Sequence, residues 1–209
     1  MPNSWVVALA VFGPLAVAGA WMAVRAGRAT VWAAMGGTLG VLGVLSLLSG
    51  EPTAYGDRGP WFELGIGALA GVALYAATAA FLAVAGRWPL LARQASELYG
   101  RRRGMSLGRA LAISVVITAP AEELLWRGVV LGVLGSAFAP WTAGALAWSA
   151  YVAANAVSGS VPIVLGAVVG GAAWTGLAVW TGGVVAGITC HVVWTALMIA
   201  RPPMPGAPL

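Results

Sequence analysis

Apolar runs long enough to cross a bilayer recur along this chain, and they decide its fold class before any motif is read. Trp5 to Val24, Val31 to Leu48 and Leu64 to Ala85 each hold 18 to 22 residues without a charged side chain. A helix rises 1.5 Å per residue, so about 20 residues cross a hydrocarbon core of roughly 30 Å. Shorter runs follow: Leu107 to Thr118, Ala121 to Phe138, Trp141 to Val157, Pro162 to Val179 and Val184 to Ala200. Pro120, Ala139-Pro140, Ser158 to Val161 and Thr181 to Gly183 separate them. Only 8% of the 209 residues are charged, against about 25% in soluble domains, so a solvated surface has nothing to be made from. The expected fold is all-α: a polytopic integral membrane bundle of about eight transmembrane helices in a single domain over residues 1–200. Within it, residues 5–104 form N-terminal helices and a basic loop, and residues 107–200 form a core. A Pro-rich tail over 201–209 is expected to be disordered. Thirty glycines suit helices that pack closely in lipid.

Net charge is +5, but it sits in one place. Between Arg87 and Arg109 six arginines face the single acid Glu97, and elsewhere five arginines balance five acids. Such a loop marks the cytoplasmic side of a membrane protein and lipid headgroups as its partner; a nucleic-acid partner is not expected. Placing Arg25, Arg28 and this loop inside puts the N-terminus outside. Eight spans would bring the C-terminus outside too. Within the loop, Leu91, Ala95 and Leu98 recur at helical spacing, and Arg93 and Glu97 form an i,i+4 pair. The segment is either a short interfacial helix or a solvated basic loop. The first apolar run lacks a basic leader and a cleavage site and is expected to be retained. Cys190 is the only cysteine, so no internal disulfide forms. No repeat of fixed period and no duplicated half is visible.

From Leu111 to Ala200 the only fully charged side chains are Glu122, Glu123 and Arg127. Each costs roughly 2.5–3.5 kcal/mol at the centre of a membrane helix, so they must pair, face a wet cavity or do chemistry. Glu123 and Arg127 stand at i,i+4 in the favourable order. Glu122 is rotated by about 100° from Glu123 and is the acid left over. Pro120 suits the first turn of a new helix, which would set both glutamates near a positive dipole end. Burial and Arg127 act on the proton affinity of Glu122 in opposite senses, and a balance between them is what a general base needs. The alternative is a buried ion triplet that fixes helix packing. His191, the only histidine, shares a face with Thr195, and Asn155 shares one with Tyr151. Three apolar runs thus each carry a polar group, and one shared intramembrane site is the economical arrangement.

At these residues the sequence resembles the CAAX prenyl protease and bacteriocin-processing (CPBP, Abi-type) membrane family. Glu122-Glu123, three residues, then Arg127-Gly128 resembles its first motif. Tyr151-Val-Ala-Ala-Asn155 occupies the place of an aromatic residue, three residues and His, with Asn for His. His191-Val-Val-Trp-Thr195 occupies the place of His, three residues and Asn or Asp. The resemblance spans roughly Leu107 to Ala200. It implies an intramembrane endopeptidase acting on a membrane-associated peptide or protein. Glu122 would activate a water, Glu123 and Arg127 would hold the site together, and His191 with Thr195 would stabilise an oxyanion. Asn155 would orient the water without accepting its proton.

No cofactor or metal is expected. A zinc protease needs three protein ligands, often within H-E-x-x-H, and that motif is missing. With no lysine there is no phosphate-binding loop of the Walker type. Ser149 and Ser158 have nothing linking them to His191. Two other readings stay open beside the hydrolase. One is a non-catalytic scaffold, immunity or regulatory protein of the same fold, which the Asn155 and Thr195 replacements favour. The other is an ion-coupled carrier. The expected location is the cell membrane.

Overall fold

The computed structural model describes residues 2–52, 56–85, 87–100 and 104–203. Arg101, Arg102 and Arg103 of the basic loop and residues 204–209 of the tail lie outside the described residues. Every element among the described residues is helical: α1 (Ser4–Arg25), α2 (Val31–Ser49), α3 (Pro60–Ala85), α4 (Pro89–Gly100), α5 (residues 107–135), α6 (Pro140–Ala156), α7 (Val161–Thr181) and α8 (Val185–Ala200). Local signals set several ends. Thr30 caps α2 by accepting the Ala33 N–H, and Ser106 caps α5 by accepting the Arg109 N–H. Gly182 closes α7 at φ 79°, in the left-handed region where glycine costs least.

The eight-helix count holds, but its partition differs from expectation. Residues 107–118 and 121–138 were expected as separate runs; they belong to one helix, α5, which ends at residue 135. Proline lacks an N–H, and its ring presses on the carbonyl four residues back. Here π-helical turns at Ala112–Thr118 and Leu124–Val130 flank Pro120, and such turns widen the helix and relieve the clash. Thr118 (φ −71°, ψ −48°) and Ala119 (φ −63°, ψ −48°) stay helical. Pro120 therefore begins no new helix, and the expected dipole end beside the glutamates is absent. The eighth helix is α4. It buries Leu91 and Ala95 and leaves Arg93 and Glu97 exposed, as an interfacial helix does.

Four helices are long and apolar enough to span a membrane by length and composition alone: α1, α2, α3 and α7. The helix α5 covers residues 107–135, about 43 Å at 1.5 Å per residue, and α8 is a shorter apolar helix. Their outer faces carry large apolar side chains such as Phe12, Leu48, Leu69 and Val84, the pattern expected against lipid. The inner face of α1 buries Val6, Leu9, Gly13, Val17, Ala20 and Trp21 at helical spacing. These pack with Leu39 of α2, Leu125, Trp126 and Val129 of α5, and Trp174 of α7 in one core.

Close approach of α3 and α8 seats the histidine. A Cβ at Gly67 would lie 2.6 Å from the Ala186 carbonyl oxygen, and one at Gly71 would lie 2.7 Å from that of Cys190. Only glycine lets these backbones meet, and His191 follows Cys190 directly. Two ends of the bundle are distinguishable. Pro52 lies against Gly128, and Gly56 against Thr181 and Gly182. At the opposite end Arg25 lies against Gly159, and the Val161 N–H donates to Gln94 Oε1.

Candidate active site

Four helices contribute to one polar cluster inside the bundle. Glu123 and Arg127, one turn apart on α5, form the expected pair: Arg127 Nη1 donates to Glu123 Oε1 at 3.0 Å. The guanidinium is held further from α7, with Nε donating to Thr175 Oγ1 at 3.1 Å and Nη2 to the Gly171 carbonyl at 3.0 Å. It also lies 4.6 Å from the ring centroid of Tyr151 and 5.5 Å from that of Trp174, within cation–π range. A buried cation is tolerated when its donors and charge are matched in this way.

His191 completes the cluster from α8. Its Nδ1 lies 2.8 Å from Glu123 Oε1. A carboxylate only accepts, so Nδ1 carries the proton and Nε2 is turned toward Glu122. The distance from Nε2 to Glu122 Oε2 is 3.9 Å. That is too long for a direct hydrogen bond. It is the separation two groups have when both touch one water at ~2.8 Å, with an angle of about 90° at the water. The imidazole stacks on the Trp174 indole with centroids 3.6 Å apart and 12° between planes. From α6, Tyr151 donates its O–H to Glu122 Oε2 at 3.0 Å.

Exposure sorts the two acids. The side chains of Glu123 and Arg127 are 0% and 1% exposed, while those of Glu122 and His191 are 12% and 8% exposed. The first two are sealed; the second two face a cavity of about 230 Å³ between α1, α2, α5 and α8. Trp21, Met35, Ser114 and Thr195 stand in its wall with Glu122 and His191. Val31 and Trp32, at the start of α2, place the outer part of this cavity toward the end of the bundle that holds Arg25.

Of the six residues singled out from sequence, Glu122, Glu123, Arg127 and His191 form one connected group, and Thr195 joins them at the cavity wall. Asn155 is placed differently. Its Oδ1 accepts from Trp21 Nε1 at 3.1 Å and its Nδ2 donates to the Tyr151 carbonyl at 3.0 Å. It meets the cavity through Trp21 and fixes Tyr151. Sequence reasoning missed Thr175, the Gly171 carbonyl and Trp21. Thr175 is a polar residue inside an apolar run, a signal that could have found it. The Gly171 carbonyl and the Trp21 ring carry no such mark. Among the described residues no group of three His, Cys, Asp or Glu side chains is arranged to hold a metal ion.

These features define a class: an integral membrane helix bundle with a carboxylate–imidazole pair opening on an internal cavity. Residues 106–197 match the family model described as Type II CAAX prenyl endopeptidase Rce1-like. The stretch similar to that model runs from the start of α5 into α8, and all six residues named from sequence fall inside it. No curated protein and no solved structure matches the chain.

Proposed function

We propose that this protein is an intramembrane endopeptidase of the cell membrane that hydrolyses a peptide bond in a membrane-associated peptide or protein. The observation that carries the reading is the pair of polar groups turned into one cavity, Glu122 and His191, 3.9 Å apart. Glu122 takes a proton from a water held by both groups while the water oxygen bonds to the peptide carbonyl carbon. The C–N bond then breaks, and the proton passes from Glu122 to the leaving amine. Tyr151 fixes one carboxylate oxygen of Glu122 and so aims the other lone pairs at the water. His191, with Thr195 beside it in the cavity wall, stabilises the oxyanion. Glu123 and Arg127 orient the imidazole and do not touch the substrate.

The test is cleavage of a membrane-anchored peptide library by the purified protein in liposomes, beside Glu122→Ala. Positioned proton transfer contributes about 10²–10⁴-fold, so the variant should lose at least ~100-fold of turnover. Equal turnover by the two proteins would exclude Glu122 as the base.

One observation favours a second reading, a non-catalytic scaffold, immunity or regulatory protein of the same fold. Asn155 spends its amide on Trp21 and on the Tyr151 backbone, so it offers the cavity no second base. Cleavage by Asn155→His but not by the natural chain would support that reading.

A further inference from the structure

A second cavity lies behind the tryptophan wall of the site. It occupies about 350 Å³ between α3, α4, α7 and α8 and is larger than the one holding Glu122. Its walls are apolar and include Leu74, Leu91, Met198 and Trp194. Phe81 and Val169 stand at its edge with 44% and 56% of their surfaces exposed, on helices whose outer faces meet lipid. The mouth is therefore lateral, toward the bilayer. An apolar space with few hydrogen-bonding groups does not hold ordered water, and interiors are otherwise close-packed. The solvent at this mouth is acyl chains.

The lining holds few polar atoms, and Thr78 and Trp194 satisfy theirs by bonding within the wall. Tyr99, on the interfacial helix α4, lines the cavity, and its hydroxyl is buried without a hydrogen-bond partner among the described residues. Burial pushes the Tyr99 phenol up to about 12, with Tyr75 adding to the shift, so it remains a donor at physiological pH. Tyr75 in turn donates to the Arg201 carbonyl at 2.7 Å. The headgroup end of the cavity thus gathers a free donor and the basic end of the bundle, with Arg93 exposed on α4.

We propose that this cavity binds one acyl chain of an anionic bilayer phospholipid, with Tyr99 donating to the ester oxygen near the headgroup. An apolar cavity of 150 Å³ takes benzene, so this volume suits a chain of roughly a dozen carbons. Anionic headgroups are drawn to the arginine-bearing side of a membrane protein. The occupant is a resident lipid and not the substrate of the site, because the two cavities share no lining residue. Trp194 and Trp174 stand between them, 5.7 Å apart at their centroids. A bound chain would brace Trp194, and through it the indole on which His191 stacks.

The experiment reconstitutes the full chain in liposomes of phosphatidylglycerol carrying a photoreactive diazirine on the acyl chain, with peptide mapping after illumination. The expected result is saturable labelling, about one lipid per chain, on cavity-lining residues of α3, α4 and α7. Ala77→Phe, which fills the cavity, should reduce it at least tenfold. Tyr99→Phe, which removes only the hydroxyl, should reduce it about three- to tenfold. Gly166→Leu serves as a second filler if Ala77→Phe fails to fold, since a Cβ at Gly166 would meet only Trp194, at 3.8 Å. Even, unsaturable labelling around all lipid-facing helices would overturn the proposal, as would full labelling of the filled variants. Displacement of the label by a membrane-anchored peptide would assign the cavity to substrate instead. Equal labelling from phosphatidylcholine would overturn the anionic headgroup, and unchanged labelling of Tyr99→Phe the ester contact.

Discussion

The buried pair Glu123–Arg127 costs more to break than it contributes. Both side chains are sealed, and Arg127 spends its donors on Glu123, Thr175 and Gly171. Arg127→Met leaves Glu123 as an uncompensated buried charge, and removing one partner of such a pair costs about 3–5 kcal/mol. Glu123→Gln should cost less, because the amide still accepts from the guanidinium. The double variant should fall well short of the sum of the two losses, with an interaction term of about 1–3 kcal/mol. Unfolding in mixed micelles measures all three, and additive losses would show that the pair is not coupled. Much of this cluster was legible in the chain. Spacing alone paired Glu123 with Arg127 and left Glu122 over, and Glu122 is the acid that faces the cavity. Thr175, the Gly171 carbonyl and Trp21 were not legible as partners, because those contacts join residues on different helices and no local spacing records them.

At the scale of single helices, hydropathy found the apolar segments and misplaced one boundary. A proline inside an apolar run reads as a stop, because the sequence does not show whether neighbouring turns can widen around it. The π turns on both sides of Pro120 do so, and they keep the glutamates on one continuous helix. For α4, the stripe of Leu91, Ala95 and Leu98 left a short interfacial helix and a solvated loop both open, and the segment forms the helix; its docking chemistry was not legible. Tyr99 on its inner face has a phenol pushed up to about 12 by burial and by Tyr75. Below the ordinary value near 10 both docked and undocked forms hold the proton, and docking is unaffected. As pH rises from about 10 toward about 12, the undocked form ionises first, so docking of α4 weakens. Proteolysis at the exposed Arg93 should therefore accelerate over that window and not below it. Tyr99→Phe should abolish the acceleration; if it persists unchanged, Tyr99 does not anchor the helix.

The whole molecule assigns its sides through contacts that composition could not supply. Pro52, Gly56, Gly128 and Thr181 gather at one end, while Arg25, Gln94, Gly159 and Val161 gather at the other. The second end also holds Arg201, tied to Tyr75 through its carbonyl, and so gathers basic residues, the pattern expected of a cytoplasmic face. Eight membrane spans would return the C-terminus to the side of the N-terminus. Joining two of those runs in α5 and laying α4 in the interface leaves seven other helices among the described residues. Were all seven to cross, the odd number would place the termini on opposite sides, N-terminus outside and Arg201 inside. The native Cys190 is buried, which gives a quiet background for single reporter cysteines. Asn3→Cys should react with a membrane-impermeant maleimide on intact cells, and Pro203→Cys only after permeabilisation. Labelling of both from outside would restore eight spans. It would also require α4 to cross the bilayer with Arg93 and Glu97 in lipid, a cost that an interfacial position avoids.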